Sequence, residues 1–244
     1  MGKRFIHRCI AGVFAIFLMS SAVAQEYSNC DPLEPLNRIT YFFNQMAFGL
    51  YIKPAARVYD LVLPLPAKES IHNFIINMRE PRYFVNNFLQ GEMAHTATTV
   101  ARFVVNSTLG IFGLFDVATP MGLTVSPQSL GNTFYKWGWR SSSYLVLPLV
   151  GPSTIRDGTG LLGDFYLTPA TYFKPKWRDL YYLVVLVEEH HDARDVEDLM
   201  SIAGVNNYNL MRSTYMQYRA FSLSGGIISD SDDQGYYLLG EPPS

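Results

Sequence analysis

The amino-acid sequence predicts a mainly α-helical protein built from amphipathic helices. Apolar residues recur at three- and four-residue spacings through most of the chain, which places them on one side of a helix. Prolines, glycines and capping residues bound these segments where helices are expected to begin or end. Residues 110–160 instead hold eight glycines and four prolines, which predicts loops with short helices or a hairpin near the centre of the chain.

The first 24 residues are predicted to be a secretory signal peptide. Basic residues near the start are followed by an apolar stretch from Ile10 to Met19. Small residues from Ser20 to Ala24 then supply the A-x-A pattern of a cleavage site. Because a bilayer-spanning helix takes about 20 apolar residues, this stretch is too short for a retained anchor. We therefore expect cleavage between Ala24 and Gln25 and export of the mature chain.

The first helix of the mature chain is predicted from a capping pattern. Asp31-Pro32-Leu33-Glu34 has the form of a capping box, but Pro35 removes the first intrahelical hydrogen bond, so the regular helix is expected to begin at Pro35. Lys53-Pro54 is expected to end it. Its broad apolar face is formed by Leu36, Ile39, Phe42, Phe43, Met46 and Leu50.

The later elements follow from the same signals. Residues 63–66, Leu-Pro-Leu-Pro, are predicted to be an extended connector. Further helices are predicted over Ile71–Met78, Pro81–Gln90, Met93 to near Gly110, Trp177–Val187, Asp192–Ala203 and Asn206–Phe221. Residues 25–223 are expected to form a single domain, and the polar residues 224–244 a disordered tail.

Composition indicates apolar surface and excludes several kinds of partner. Aromatic residues make up 14% of the chain and charged residues only 16%, against about 25% charged in soluble domains. The longest apolar run, Leu180–Val187, is far too short to cross a bilayer. A protein that lies in a membrane without crossing it fits both facts, and a soluble periplasmic domain with a large core is the alternative. Without the signal peptide, 16 basic residues face 21 acidic ones, and this net charge of −5 argues against nucleic acid and against adsorption to lipid by a polybasic patch.

No catalytic, cofactor or metal site is predicted. The serine in Gly151-Pro152-Ser153-Thr154 lacks the pattern of a nucleophile elbow. The adjacent His190 and His191 point to different faces of a helix, so they cannot form the i, i+4 pair of a zinc helix. No glycine-rich loop followed by lysine is present to hold a phosphate.

Asparagines recur inside the predicted helices, although asparagine is a poor helix-interior residue. We expect them to form buried hydrogen bonds that fasten helices to one another, with a polar lining as the alternative. The residues concerned are Asn37, Asn44, Asn73, Asn77, Asn86, Asn87 and Asn106.

An ordered series of short motifs runs from Asp31 to about Tyr172. It opens with Asp31-Pro32-Leu33-Glu34-Pro35-Leu36-Asn37-Arg38 and Phe42-Phe43-Asn44. Each later motif is weak alone, but their order and spacing are specific: Asn73-Phe74, Glu80-Pro81, Asn87-Phe88-Leu89-Gln90-Gly91, Arg102-Phe103, Asn106-Ser107-Thr108-Leu109-Gly110, Gly113-Leu114-Phe115-Asp116-Val117-Ala118, Trp137-Gly138, Tyr144, Leu147-Pro148, Gly151-Pro152-Ser153-Thr154 and Arg156-Asp157. The series resembles the MlaA/VacJ lipoprotein family.

The resemblance implies a ring-like bundle of amphipathic helices that lies in one membrane leaflet, the inner leaflet of the outer membrane, and encloses an amphipathic channel. It implies removal of phospholipid from the outer leaflet, a trimeric porin as partner, and transfer to a periplasmic shuttle of the MlaC type. It brings neither catalytic residues nor cofactors. The motif residues that would form a lipid path are Asp31, Pro32, Asn37, Arg38, Phe42, Phe43, Asn44, Gly151, Pro152, Arg156 and Asp157.

Two departures from the family pattern affect this expectation. Cys30 is the candidate lipidation site, but the residues before it do not form a lipobox. Arg140-Ser141-Ser142-Ser143 replaces a glycine-rich segment, which would stiffen a gating hairpin. Phe42, Phe43 and Asn44 are expected to form the lipid-facing or channel-facing wall of the ring, with core packing as the alternative for both phenylalanines. The alternative function is a scaffold that binds porin or other envelope partners without moving lipid.

Overall fold

The computed structural model describes residues 31–202 and 207–224, without the side chains of 190–202 and 207. The predicted signal peptide, the cleavage site between Ala24 and Gln25, the candidate lipidation site Cys30 and the predicted tail after residue 224 lie outside the described residues, as do the side chains of His190 and His191.

The chain separates into a unit that ends at Glu34 and a unit that begins at Pro35. In the first, the Asp31 carboxylate accepts a hydrogen bond from the backbone N–H of Leu33 at 3.2 Å. The backbone N–H of Glu34 also donates to the Asp31 carbonyl. These two contacts close the turn before the first helix, which begins at Glu34 and not at Pro35 as predicted.

The prediction of a mainly α-helical fold is confirmed. The first part of the chain forms α1 (Glu34–Ala47), a π-helical turn (Phe48–Ile52), α2 (Lys53–Val62), α3 (Leu65–Leu89) and α4 (Met93–Thr108). The second part forms a 3₁₀ turn (Thr119–Met121), α5 (Leu130–Lys136), β1 (Tyr144–Leu147), β2 (Gly151–Thr154), α6 (Ile155–Leu167), a second 3₁₀ turn (Pro169–Tyr172), α7 (Pro175–Ile202) and α8 (Asn207–Leu223).

The predicted hairpin is present in the glycine- and proline-rich centre. Strands β1 and β2 pair antiparallel, with Tyr144 opposite Thr154 and Leu147 opposite Gly151. The tight connection requires positive φ angles of 62° at Leu149 and 92° at Gly151. Gly151 adopts such an angle without the steric cost that a β-carbon imposes.

Several predicted helix boundaries are wrong because prolines do not end these helices. Pro54 lies in the first turn of α2, where the backbone N–H that proline lacks needs no partner within that helix. The chain passes into α2 through the π-helical turn. Residues 65 and 66 are likewise helical, so only Leu63 and Pro64 keep the extended conformation of the predicted connector. Pro81 lies inside the continuous helix α3, which replaces the two predicted helices. A further boundary is wrong for a reason other than proline. Residues 188–191 are helical, so helix α7 replaces the two predicted helices Trp177–Val187 and Asp192–Ala203.

The buried and exposed residues of the described chain have inverted polarity. Seventeen buried residues are polar or charged and eleven are hydrophobic, while forty large hydrophobic side chains are exposed. A water-soluble protein would bury most of these large apolar side chains in its core. The apolar packing that exists consists of two small clusters, one centred on Ile75, Ala170 and Tyr181 and one on Tyr144, Val146 and Tyr208.

None of the helices in the described residues is both long enough and apolar enough to cross a membrane.

Candidate functional site

Helix α1 separates apolar from amide side chains on opposite faces. The predicted apolar face is exposed rather than packed in a core, and core packing of the two phenylalanines is therefore wrong. The exposed fractions are 53% for Leu36, 68% for Ile39, 65% for Phe42, 50% for Phe43, 48% for Met46 and 64% for Leu50. On the other face Asn37 and Asn44 are buried. Helix α1, together with Leu50 of the π-helical turn that follows it, therefore presents a continuous exposed apolar strip.

Asn37 and Asn44 fasten α1 to the hairpin. The Asn37 amide donates to the Tyr144 carbonyl at 3.2 Å and accepts from the Val146 backbone N–H at 2.8 Å. Two helical turns further on, the Asn44 amide donates to the Leu147 carbonyl and accepts from the Leu149 N–H, both at 2.8 Å. Each amide therefore uses both its donor and its acceptor on backbone groups of the hairpin.

The other predicted asparagines also join elements that are distant in sequence. Asn86 donates to the Asp164 carboxylate at 2.9 Å and accepts from the Thr133 hydroxyl at 2.9 Å. Asn106 accepts from the backbone N–H groups of Val117 and Ala118, both at 2.9 Å. The fastening interpretation explains these buried amides. Asn73 differs because it is only half-buried.

A buried charged cluster, which the sequence interpretation missed, links α3 to α4. The Arg102 guanidinium donates to the Glu80 carboxylate at 2.8 Å, and both side chains are buried. It also reaches Asp116 at 3.2 Å. Burial raises the pKa of Glu80 even though Arg102 opposes that shift. Burial also acts to raise the pKa of Asp116, but hydrogen bonds from Thr119 and Asn106 and the Arg102 charge hold it below its ordinary value.

Arg156 and Asp157, two residues of the predicted lipid path, are brought together in a second network. The Arg156 guanidinium donates to the backbone carbonyls of Trp139 at 3.2 Å and Arg140 at 3.3 Å. The Asp157 carboxylate accepts two hydrogen bonds from Arg219 of α8, at 2.6 and 2.7 Å. These contacts tie the segment before the hairpin and the last described helix to the start of α6.

The serine-rich segment that departs from the family pattern belongs to this network. The Ser142 hydroxyl accepts from the Arg156 backbone N–H at 2.9 Å, and the Ser143 carbonyl accepts from the Ile155 N–H at 3.0 Å. Serine at position 142 therefore supplies a hydrogen bond that glycine cannot.

The remaining predicted path residues occupy separate places. Gly151 and Pro152 lie in β2. The Arg38 guanidinium lies 4.4 Å from the ring centroid of Tyr208 and donates to Asn209 at 3.3 Å, so it contacts α8. Asp31 and Pro32 lie in the turn before α1.

A cavity of about 350 Å³ lies between α2, α3 and α7, and three of its charged or titratable side chains, Lys68, His72 and Glu188, already have partners. The His72 imidazole lies 2.6 Å from the Glu188 carboxylate, and Lys68 pairs with Asp60 at 2.7 Å. Among the described side chains no cluster of three metal-ligating residues occurs. The apolar face of α1 and its amide attachment to the hairpin are the arrangement with the clearest chemical meaning.

Comparisons with known proteins agree with the motif series. The family model described as MlaA lipoprotein matches residues 29–222. An uncharacterised protein of Rickettsia bellii is 32% identical over 195 residues, which is 79% of this chain and 76% of that protein. The intermembrane phospholipid transport system lipoprotein MlaA of Escherichia coli is 28% identical over 218 residues, 88% of this chain and 86% of that protein.

A solved structure from work on the structural basis for maintenance of bacterial outer membrane lipid asymmetry has a similar fold. The TM-score is 0.70 at 28% sequence identity, and the match covers 80% of this chain and 100% of the solved chain.

Proposed function

Because this chain belongs to the MlaA lipoprotein family, we propose that it transports phospholipid at the bacterial outer membrane and does not catalyse a reaction. The Escherichia coli relative is named as a lipoprotein of an intermembrane phospholipid transport system, which supports the assignment. The observation that carries the proposal is the exposed apolar strip of α1, with amide side chains on the opposite face.

The strip is chemically suited to acyl chains. Burial of one large apolar side chain contributes about 1.5–3 kcal/mol, so five or six of them contribute on the order of 10 kcal/mol before ordering costs. A single acyl anchor gives only marginal membrane binding. Residence in the membrane therefore does not depend on lipidation of Cys30.

The hairpin and α1 would act together on a passing lipid. The exposed rings of Phe42 and Phe43 would contact acyl tails, while Asn37 and Asn44 hold α1 against β1 so that the rings stay in position. Arg156 and Asp157 would hold the base of the hairpin. In this proposal the path residues orient the lipid through apolar contact and a rigid support.

The location and partners belong to the same proposal. The protein would lie at the periplasmic face of the outer membrane, remove mislocalised phospholipid from the outer leaflet, bind a trimeric porin, and pass lipid to a periplasmic shuttle of the MlaC type. The exposed apolar surface and the similarity to a structure that concerns lipid asymmetry support this arrangement.

A complementation experiment tests lipid transport against the scaffold alternative. A strain that lacks the gene should accumulate phospholipid in its outer leaflet, detected with an amine-reactive probe that cannot cross the membrane. The unaltered gene should reverse the labelling, and the double variant Phe42→Gln, Phe43→Gln should not, because it replaces the lipid-contacting rings with amides.

The matched control is Gln45→Ser, an exposed polar residue of the same helix. This variant should reverse the labelling as fully as the unaltered gene does. If the deletion strain is labelled no more strongly than its parent strain, lipid transport is contradicted and the scaffold function is favoured.

A further inference from the structure

Exposed aromatic side chains and two lysines meet where α6 passes into α7. Tyr166 is 64% exposed, Tyr172 72% and Trp177 57%. We name this patch the junction surface, and it consists of Tyr166, Tyr172, Phe173, Lys174, Lys176 and Trp177.

Hydrogen bonds and ring contacts fix the junction surface to α6, the second 3₁₀ turn and α7. The Tyr172 hydroxyl donates to the Tyr166 carbonyl at 2.8 Å. Behind it, the Thr171 hydroxyl forms a hydrogen bond with the Tyr182 hydroxyl at 2.7 Å, and the rings of Phe165 and Tyr182 stack with centroids 5.4 Å apart. The aromatic side chains therefore have a defined place between the second 3₁₀ turn and α7.

The local charge is opposite to that of the whole chain. Between the buried Asp164 and Asp179 the sequence holds three basic residues and no acidic one. Arg178 pairs with Asp179 at 2.9 Å. Lys174 and Lys176 form no ion pair within the described residues. Lys176 instead lies 5.6 Å from the Trp177 ring centroid. Two uncompensated positive charges thus flank an exposed indole.

This combination matches the headgroup region of a membrane. Tryptophan and tyrosine favour the interface between lipid and water, because one end of each ring is apolar and the other is polar. Lysines that extend from the same surface can lie beside anionic phosphates while their stems cover apolar groups. The net charge of the mature chain excludes attachment by charge alone, so the lysines would add selectivity to apolar binding.

We propose that the junction surface binds anionic phospholipid headgroups at the membrane–water interface. Trp177 and Tyr172 lie among the headgroups, and Lys174 and Lys176 lie beside the phosphates. The inference rests on the membrane residence proposed above and adds the lipid class that this part of the molecule recognises.

Vesicle flotation with the purified protein tests the inference. We expect tighter binding to vesicles of equal parts phosphatidylcholine and phosphatidylglycerol than to pure phosphatidylcholine. The double variant Lys174→Gln, Lys176→Gln should lose about 30-fold in partitioning onto the anionic vesicles, as two lysines at the surface imply. Its binding to phosphatidylcholine should be unchanged. Trp177→Ala should weaken binding to both kinds of vesicle.

The matched control removes two positive charges that lie outside the junction surface. Lys136 pairs with Glu92, and the Arg140 guanidinium lies 5.1 Å from the Tyr135 ring centroid. If Lys136→Gln, Arg140→Gln loses as much binding as the junction variant, general charge explains the effect and the inference is wrong. Equal binding of the unaltered protein to both kinds of vesicle overturns the junction proposal alone. Failure to bind either kind overturns the proposed membrane residence as well.

Discussion

Asp157 shows how single residues hold the second buried network. Burial acts to raise the pKa of its carboxyl, but the hydrogen bonds and charges of Arg219 and Arg156 lower the pKa from 3.8 to about 2. Because the folded-state pKa lies below the unfolded value, the ionised carboxylate stabilises the fold above about pH 4. That stabilisation is lost as the pH falls from about 4 towards about 2.

The variant Asp157→Asn should therefore be less stable near neutral pH, by about 2 kcal/mol in the free energy of unfolding. The difference from the unaltered protein should shrink as the pH falls below about 4. Urea unfolding in detergent micelles across this range measures it. Asp179→Asn is the control, because Asp179 is exposed and pairs with Arg178 on the surface. A difference that stays constant with pH would show that the charge of Asp157 does not stabilise the fold.

The types of the buried polar residues could be predicted, whereas their partners could not. Asparagine is unfavourable inside helices, and this alone indicates that Asn37 or Asn106 has a tertiary hydrogen bond. The bond from Val146 to Asn37, however, joins residues 109 positions apart. Glu80 and Arg102 can be recognised in the sequence as charged residues within predicted helices. Only the packing of α3 on α4 shows that they form an ion pair.

At the scale of elements, the contact of α1 with the hairpin is the arrangement that positions the apolar strip. Asn37→Ala removes the side-chain hydrogen bonds to the Tyr144 carbonyl and from the Val146 backbone N–H. At about 0.5–1.5 kcal/mol for each hydrogen bond, we expect a loss of roughly 1–3 kcal/mol in the free energy of unfolding.

Urea unfolding of the purified protein in micelles measures this loss. The control is Gln45→Ala on the exposed side of α1, which should change the free energy of unfolding by less than about 0.5 kcal/mol. A similar loss for both variants would mean that the hairpin contact does not stabilise α1.

Element boundaries could be predicted less well than element types. Pro81 indicates a helix end by local rules, yet α3 continues, and buried side chains on both sides of it, such as Asn77 and Asn86, hold the helix in place. Helix α6 was missed because of its glycines. A β-carbon on Gly160 would overlap the backbone of Gly131 in α5, so this glycine serves close helix packing and does not mark a loop.

At the scale of the whole molecule, polarity is inverted over the described residues, with amides and ion pairs inside and large apolar side chains outside. The sequence contains the amphipathic period of α1, but a period alone does not say which solvent the apolar side meets. Low charge and high aromatic content favoured apolar surface without excluding a large soluble core. The structure distinguishes an apolar surface from a large soluble core, because Phe42 and Phe43 are exposed while Asn37 and Asn44 are buried.

Photo-crosslinking in growing cells tests whether this apolar exterior contacts phospholipid. A photoreactive phenylalanine analogue is placed at Phe42 and, separately, at Met46, two exposed positions one helical turn apart. After irradiation, adducts that carry the mass of a phospholipid should form at both positions. Adducts to protein alone, or none at either position, would contradict this contact.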